Sequence, residues 1–249
     1  MLHAIFVQPL INLLVFFYSI IPGHDFGVAV ILLTVVVRLI LWPLQSKTLR
    51  NQKALNKIQP EIKKIQDKYK NDPAKMQSKM MELYKEKEVN PLSSCLPSLI
   101  QLPLLFALFY AIRPFSQADF INLANQNAGL LHELYSWLKN LGFVSDALKH
   151  TFTTDLFGIV NLTKSSWALA LLAGIIQFFQ SRMVMPKQDL DQTQKVMNQT
   201  LYIFPVMTFV IGLSFPAALP LYWIVQSAMM MVQQYLVMHR EVEKLEGEK

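Results

Sequence analysis

FGVAVILLTVVVRLILWPLQS, residues 26–46, decides the fold. Its 21 residues carry one charge, Arg38, near the middle. A helix rises about 1.5 Å per residue, so roughly 20 apolar residues cross a bilayer. The stretch has the length and composition of a membrane span, with a guanidinium close to the bilayer centre. An arginine there costs at least about 2.5–3.5 kcal/mol on insertion scales. It cannot shed its proton, because its pKa lies above about 12. Snorkelling to the interface is the bland alternative, and a site near mid-span lies too deep for it. The expectation is a water-filled cavity inside the membrane with Arg38 on its wall.

The flanks on both sides of this span are informative. Upstream, residues 2–22 contain no Lys, Arg, Asp or Glu. A signal peptide is a poor reading, since there is no basic leading region and no small-x-small cleavage site. Gln8, Asn12 and Ser19 fall on one helical face, opposite Ile5, Leu14 and Ile21. That pattern favours a helix lying in the membrane interface over a true span. Downstream, Lys47, Arg50, Lys53 and Lys57 follow at once, which places this end in the cytoplasm. Residues 47–89 then read as a cytoplasmic antiparallel helical hairpin. Leu55, Ile58, Ile62, Ile65 and Tyr69 repeat at helical spacing, as do Met76, Met80 and Leu83, with Asn71-Asp72-Pro73 as the turn. Pro60 opens or kinks a helix.

The remaining apolar runs supply four more spans. Residues 91–112 rise outward, with Pro97 and Pro103 expected to bend them. Residues 113–164 have balanced charge and form an extracytoplasmic loop, in which Leu130, Leu134, Trp137 and Leu141 suit a second interfacial helix. Residues 165–181 return to Arg182 and Lys187. From Val196 to His239 no formal charge occurs, and Ser214–Pro220 divides the run into spans 199–214 and 219–238. The result is one all-α polytopic membrane domain over 1–249, with its N-terminus outside and its C-terminus in the cytoplasm.

Composition agrees. The chain is 53% hydrophobic and 16% charged, with mean hydropathy +0.30. The net charge of +6 lies wholly in Lys47–Glu88, where twelve basic residues face six acidic ones. A basic segment beside a span points to anionic lipid head groups or RNA as neighbours. A single cysteine, Cys95, rules out an intrachain disulfide. No Walker loop, dinucleotide fingerprint, HExxH or GxSxG occurs, and the five histidines lack ligand spacing. The reading is a protein that is not an enzyme, with no cofactor and no metal.

The spans offer one cation and several uncharged polar groups. Thr34 precedes Arg38 by one turn, Gln101 lies in the second span and Gln177 in the third. In the last span Tyr222, Gln226 and Gln233 share a face, with Trp223 and Ser227 beside it. Singly, each suits ordinary interhelical hydrogen bonding or packing. Together with a mid-span arginine they suggest a hydrated groove. On these residues alone, insertion of proteins and transport of an anion through Arg38 rank equally, with a passive scaffold as a third possibility.

Ordered motifs then narrow the choice. VRLILWPL at 37–44, QPEIKKIQDKYKNDPAKMQSKMMELYKE at 59–86, NPLSSCLPSLIQLPLLFALF at 90–109 and FPAALPLYWIVQS at 215–227 resemble the YidC/Oxa/Alb family of membrane protein insertases. The resemblance implies five spans around a hydrophilic groove, with Arg38 as the groove arginine and Gln177 and Trp223 as groove-lining positions. It makes the hairpin around Asn71, Asp72 and Pro73 the region that receives clients. Implied partners are nascent single-span or small membrane proteins, ribosome–nascent chains, the Sec translocon and anionic lipids, with no DNA. The implied setting is the bacterial cytoplasmic membrane. The sequence departs from the family at Ser93-Ser94, where Gly-Gly is common, and shows no large extracytoplasmic domain before the first span. Its short tail carries four glutamates, unlike a basic ribosome-binding extension. The expected activity is ATP-independent insertion through the groove, the client's own apolar helix supplying the drive.

Overall fold

The computed structural model describes residues 3–90, 105, 109, 130–149, 153–184 and 192–247. These are overwhelmingly helical. After wide helical turns at His3–Val7, α1 covers Gln8–Ile20 and α2 Phe26–Lys57. The helical pair α3 (Gln59–Lys68) and α4 (Pro73–Glu86) follows. Three short helices, α5 (Leu130–Glu133), α6 (Ser136–Lys139) and α7 (Gly142–Lys149), precede a two-stranded antiparallel ribbon of β1 (Asp155–Leu156) and β2 (Val160–Asn161). Three long helices close the chain: α8 (Trp167–Val184), α9 (Gln192–Ser214) and α10 (Ala218–Gly247). Helix α10 packs on both α2 and α8, and α9 packs on α8. Gln101 and most of the 91–112 and 113–129 stretches lie outside the described residues.

Helix α2 is the backbone of the arrangement. Asp25 caps it, its Oδ1 accepting from Val28 N at 2.9 Å. It runs 32 residues without a break, through Pro43 and past the basic cluster at Lys47–Lys57. Its buried face changes character along the way. Phe26, Ala29, Val30 and Leu33 are apolar; Thr34, Arg38, Gln45 and Thr48 on the continuation of that face are polar.

The apolar half of α2 belongs to the main core. Ile11, Leu14, Val15 and Tyr18 from α1, Leu138 and Val144 from the short helices, and Ala217, Ala218, Leu221 and Tyr222 from the start of α10 complete it. The ribbon is pressed against the first turn of α2, where a Cβ on Gly27 would collide with Leu156. Ala218 N donates to Leu162 O at 3.0 Å, fastening α10 to the strand exit. These elements make a cap over one end of the long helices.

The polar face of α1 packs into the protein: Asn12 and Ser19 are buried. Asn12 Nδ2 donates to Glu133 O at 2.9 Å and its Oδ1 accepts from Tyr135 N at 2.7 Å. Gln8 Nε2 also reaches Glu133 O, at 3.3 Å. The same contacts explain why Leu130–Leu141 is not one helix. Asn12 takes the backbone groups that a continuous helix would use, so the chain breaks at Leu134-Tyr135 and restarts at Ser136. Leu134 and Leu138 turn into the core while Trp137 stays exposed.

Helices α3 and α4 pack against each other around a small separate core of Leu55, Ile58, Ile62, Leu83 and Val89. Pro60 stands in the first turn of α3, and Asp72 caps α4 with Pro73 behind it, Asp72 Oδ1 accepting from Lys75 N at 3.0 Å. Lys87 Nζ meets Glu61 Oε2 at 3.2 Å across the open end of the pair. At the turn, Tyr69 lies 5.6 Å from both Lys68 Nζ and Lys75 Nζ. Burial pushes the Tyr84 phenol above its ordinary range.

Candidate functional site

The polar residues gather along the seam where α10 runs between α2 and α8. Arg38 is only 4% exposed, so its side chain turns inward and does not reach for the surface. One guanidinium nitrogen donates to Gln45 Oε1, two turns further along α2, and another donates to the Gln226 carbonyl of α10 at 3.2 Å. Among the described residues its Nε meets no hydrogen-bond partner. Among the described residues no carboxylate lies within ion-pair distance of Arg38. Among the described residues, the hydrogen bonds of this permanent charge go to amide oxygens.

Further contacts tie the seam together on both sides. Tyr222, one turn before Gln226, is buried and lies within electrostatic range of the guanidinium. Ser227 Oγ donates to Gln177 Oε1 of α8 at 2.9 Å. Gln233 Nε2 donates to Trp42 O and to Ser46 Oγ of α2, both at 2.9 Å. Gln234, buried beside it, finds no hydrogen-bond partner for either amide atom among the described residues. From Tyr222 to Gln234 the seam extends about 18 Å at about 1.5 Å per residue. Tyr222, Gln226 and Gln233 recur at helical spacing on one strip of α10, and Ser227 and Gln234, each the next residue along, fall on a second strip about 100° away.

Arg38, Tyr222 and Gln226 are therefore brought together, with Gln177 joined through Ser227. Thr34 is buried on the same face, but its hydroxyl donates to Val30 O of its own helix at 2.7 Å. Trp223 is half-buried and packs on the main core. Asn71, Asp72 and Pro73 are exposed at the α3–α4 turn, beyond the far end of α2. Gln45, Ser46 and Gln234 escaped the sequence reading. Gln45 stands seven residues after Arg38, two turns along one face, and that spacing was the available signal.

The profile of the 60Kd inner membrane protein family matches residues 16–244. This chain belongs to that family. Curated relatives of the family carry the name membrane protein insertase YidC. That of Endomicrobium trichonymphae is 35% identical over 230 residues, which is 92% of this chain and 39% of the relative. That of Clostridium tetani is 35% identical over 215 residues, 86% of this chain and 82% of the relative. That of Clostridium perfringens is 34% identical over 227 residues, 91% and 84% respectively. The chain spans well under half of the first relative and more than four-fifths of the other two. Family membership makes this an all-α membrane protein of the YidC/Oxa/Alb insertases, as the motifs at 37–44, 59–86, 90–109 and 215–227 led one to expect. Its helices His3–Ile20 and Phe26–Lys57 are, among the described residues, long and apolar enough to cross a membrane.

Proposed function

We propose that this chain inserts client proteins into the bilayer along the α2–α10–α8 seam, without nucleotide. One observation carries the reading: Arg38 is enclosed, permanently charged, and without a carboxylate among the described residues. Truncating a buried charge's partner is costly because the charge is left uncompensated. A client's acidic residue arriving at Arg38 supplies the missing counter-charge and finds Nε unclaimed. Amide groups of Gln45, Gln177, Gln226 and Gln234 can donate to and accept from an unfolded peptide backbone or the water that accompanies it.

The asymmetry of the helices fits this direction of travel. The seam is polar from Thr34 onward, toward the basic hairpin, and gives way to the apolar core at the capped end. In this reading the cap faces outside and the hairpin the cytoplasm, with five spans between. A polar client head enters from the hairpin side, and the cap stops free leakage. The client's apolar helix drives the transfer: 20 residues at about −0.3 to −0.6 kcal/mol each give roughly −6 to −12 kcal/mol. The basic hairpin contributes attraction to anionic lipid head groups and to ribosome-bound clients arriving beside the Sec translocon.

The test is photo-cross-linking from position 177 to a ribosome-stalled single-span client. A cross-link that rises as the client's apolar segment emerges, and fades on release, supports the reading. No cross-link from correctly folded protein, together with solute flux abolished by Arg38→Ala, would replace it with anion transport.

A further inference from the structure

The ribbon at the capped end carries a feature that the seam does not use. Ile159 is 83% exposed, more than any other large apolar side chain among the described residues, and Phe157 beside it is 68% exposed. Both lie on the tip joining β1 to β2. Phe157 (φ 51°) and Gly158 (φ 66°) are both left-handed, and Ile159 N donates to Leu156 O at 3.0 Å. Turns with two positive φ values favour Asn-Gly or Asp-Gly, because their short polar side chains tolerate that backbone. Here a phenylalanine occupies the strained position, and its ring is left largely outside the protein. The residues around it, Leu156–Thr163, carry no charge.

The height of the tip is set by α2. Phe157 N donates to Asp25 Oδ2 at 2.5 Å while Asp25 Oδ1 caps the same helix. The tip thus stands beside the first turn of α2, at the level where the first span begins. Trp167, exposed at the opening of α8, is of the type that settles at head-group depth. Beyond it Leu171, Leu172, Ile175 and Phe179 continue an exposed apolar stripe along α8. A water-facing tip of Phe-Gly-Ile at this height has no compensation; a lipid-facing one has.

We infer that the Phe157–Ile159 tip dips into the outer leaflet, at the boundary of head groups and acyl chains, and anchors the cap to lipid through apolar contact and not charge. The inference rests on reading α2 and α8 as spans. Insertion puts the two side chains into the acyl boundary, and the tip's Phe157 N and Ile159 N are already paired within the protein, to Asp25 Oδ2 and Leu156 O.

Single cysteines at the tip (Phe157→Cys, Ile159→Cys) and on α8 (Leu172→Cys) are made in a Cys95→Ser background. They are labelled with an environment-sensitive fluorophore in phosphatidylcholine proteoliposomes. Head-group-proximal nitroxide lipids should quench both tip labels at least twofold, with iodide quenching reduced by a similar factor relative to detergent-free denatured chain. Iodide quenching without lipid quenching at the tip, while Leu172→Cys responds to lipid, overturns the anchor and leaves the spans standing. Protection from both quenchers means a protein covers the tip and also overturns it. Loss of lipid quenching at Leu172→Cys as well removes the span reading itself, and the anchor with it. As an independent measure, Phe157→Asn relaxes the turn and should raise iodide access at a label on Ile159→Cys at least twofold; unchanged access overturns the anchor.

Discussion

The two halves of α2 share one helix and one buried face, yet they are built by opposite rules. From Phe26 to Leu33 the face is sealed by apolar side chains from α1, the short helices and the start of α10. From Thr34 to Thr48 it holds a guanidinium, an amide and two hydroxyls. An apolar half gains from close packing and accepts a polar guest only with its hydrogen bonds made, as Asn12's are. The polar half holds its charge with Gln45 and the Gln226 carbonyl pointing at it. A helix can therefore be wall at one end and workplace at the other, and the boundary falls within a single turn, between Leu33 and Thr34.

That contrast can be broken deliberately. Leu33→Ala, in the fully buried wall, should cost about 2–5 kcal/mol through the cavity it leaves, read as a lowered thermal midpoint in detergent. A loss below that range would mean the cap collapses easily and is no seal. Arg38→Ala should spare the thermal midpoint but slow insertion of acid-headed clients by roughly ten- to a hundredfold, matching about 1.5–3 kcal/mol for a charged hydrogen bond. Arg38→Lys should recover part of the rate, since it restores charge without the planar fork. Equal slowing of clients with neutral heads would detach the arginine from charge recognition.

Smaller effects sharpen the comparison at its edges. Asn12→Ala leaves Tyr135 N without its side-chain acceptor and Glu133 O with Gln8 alone, at a cost of about 1–3 kcal/mol. Faster hydrogen exchange should appear in the cap and not along the seam. Smallest of all is Lys87→Ala, which breaks an exposed pair with Glu61 worth about 0–1 kcal/mol. Its effect should vanish in high salt, and a larger one would show the hairpin to be more than a solvated surface.

The same contrast governs how much the residues disclosed. Long apolar runs and the Arg38 interruption are local signals, so α2, α8 and the break between α9 and α10 at Ser214–Ala217 were legible. Helix ends were less so. The charged stretch after Ser46 suggested a boundary, but Lys, Arg, Gln, Leu and Ala all favour helix, and α2 runs on to Lys57. Amphipathicity says that the polar and apolar faces of α1 differ, not which one meets the protein, and Asn12 and Leu14 are both buried. The ribbon at Asp155–Asn161 escaped notice because two-residue strands have no periodicity to detect. Within the seam, Arg38, Tyr222 and Gln226 stood out by their chemistry; Gln45 was signalled only by its seven-residue spacing from Arg38, and Gln234 required knowing which helices meet.

Pro43 gives the long helix a mechanical property. It sits between Arg38 and the residues of α2 that belong to the hairpin's own core, Leu55 above all. Lacking an N–H, it leaves the Leu39 carbonyl without its helical donor and softens the rod at that joint. Leu55 stands about 18 Å beyond it at about 1.5 Å per residue. A tilt of roughly 10° there swings the hairpin through about 3 Å while the sealed half of α2 stays still. Gln45, which accepts from the guanidinium, stands on the hairpin's side of that joint, so the joint divides the charge from one of the groups that hold it.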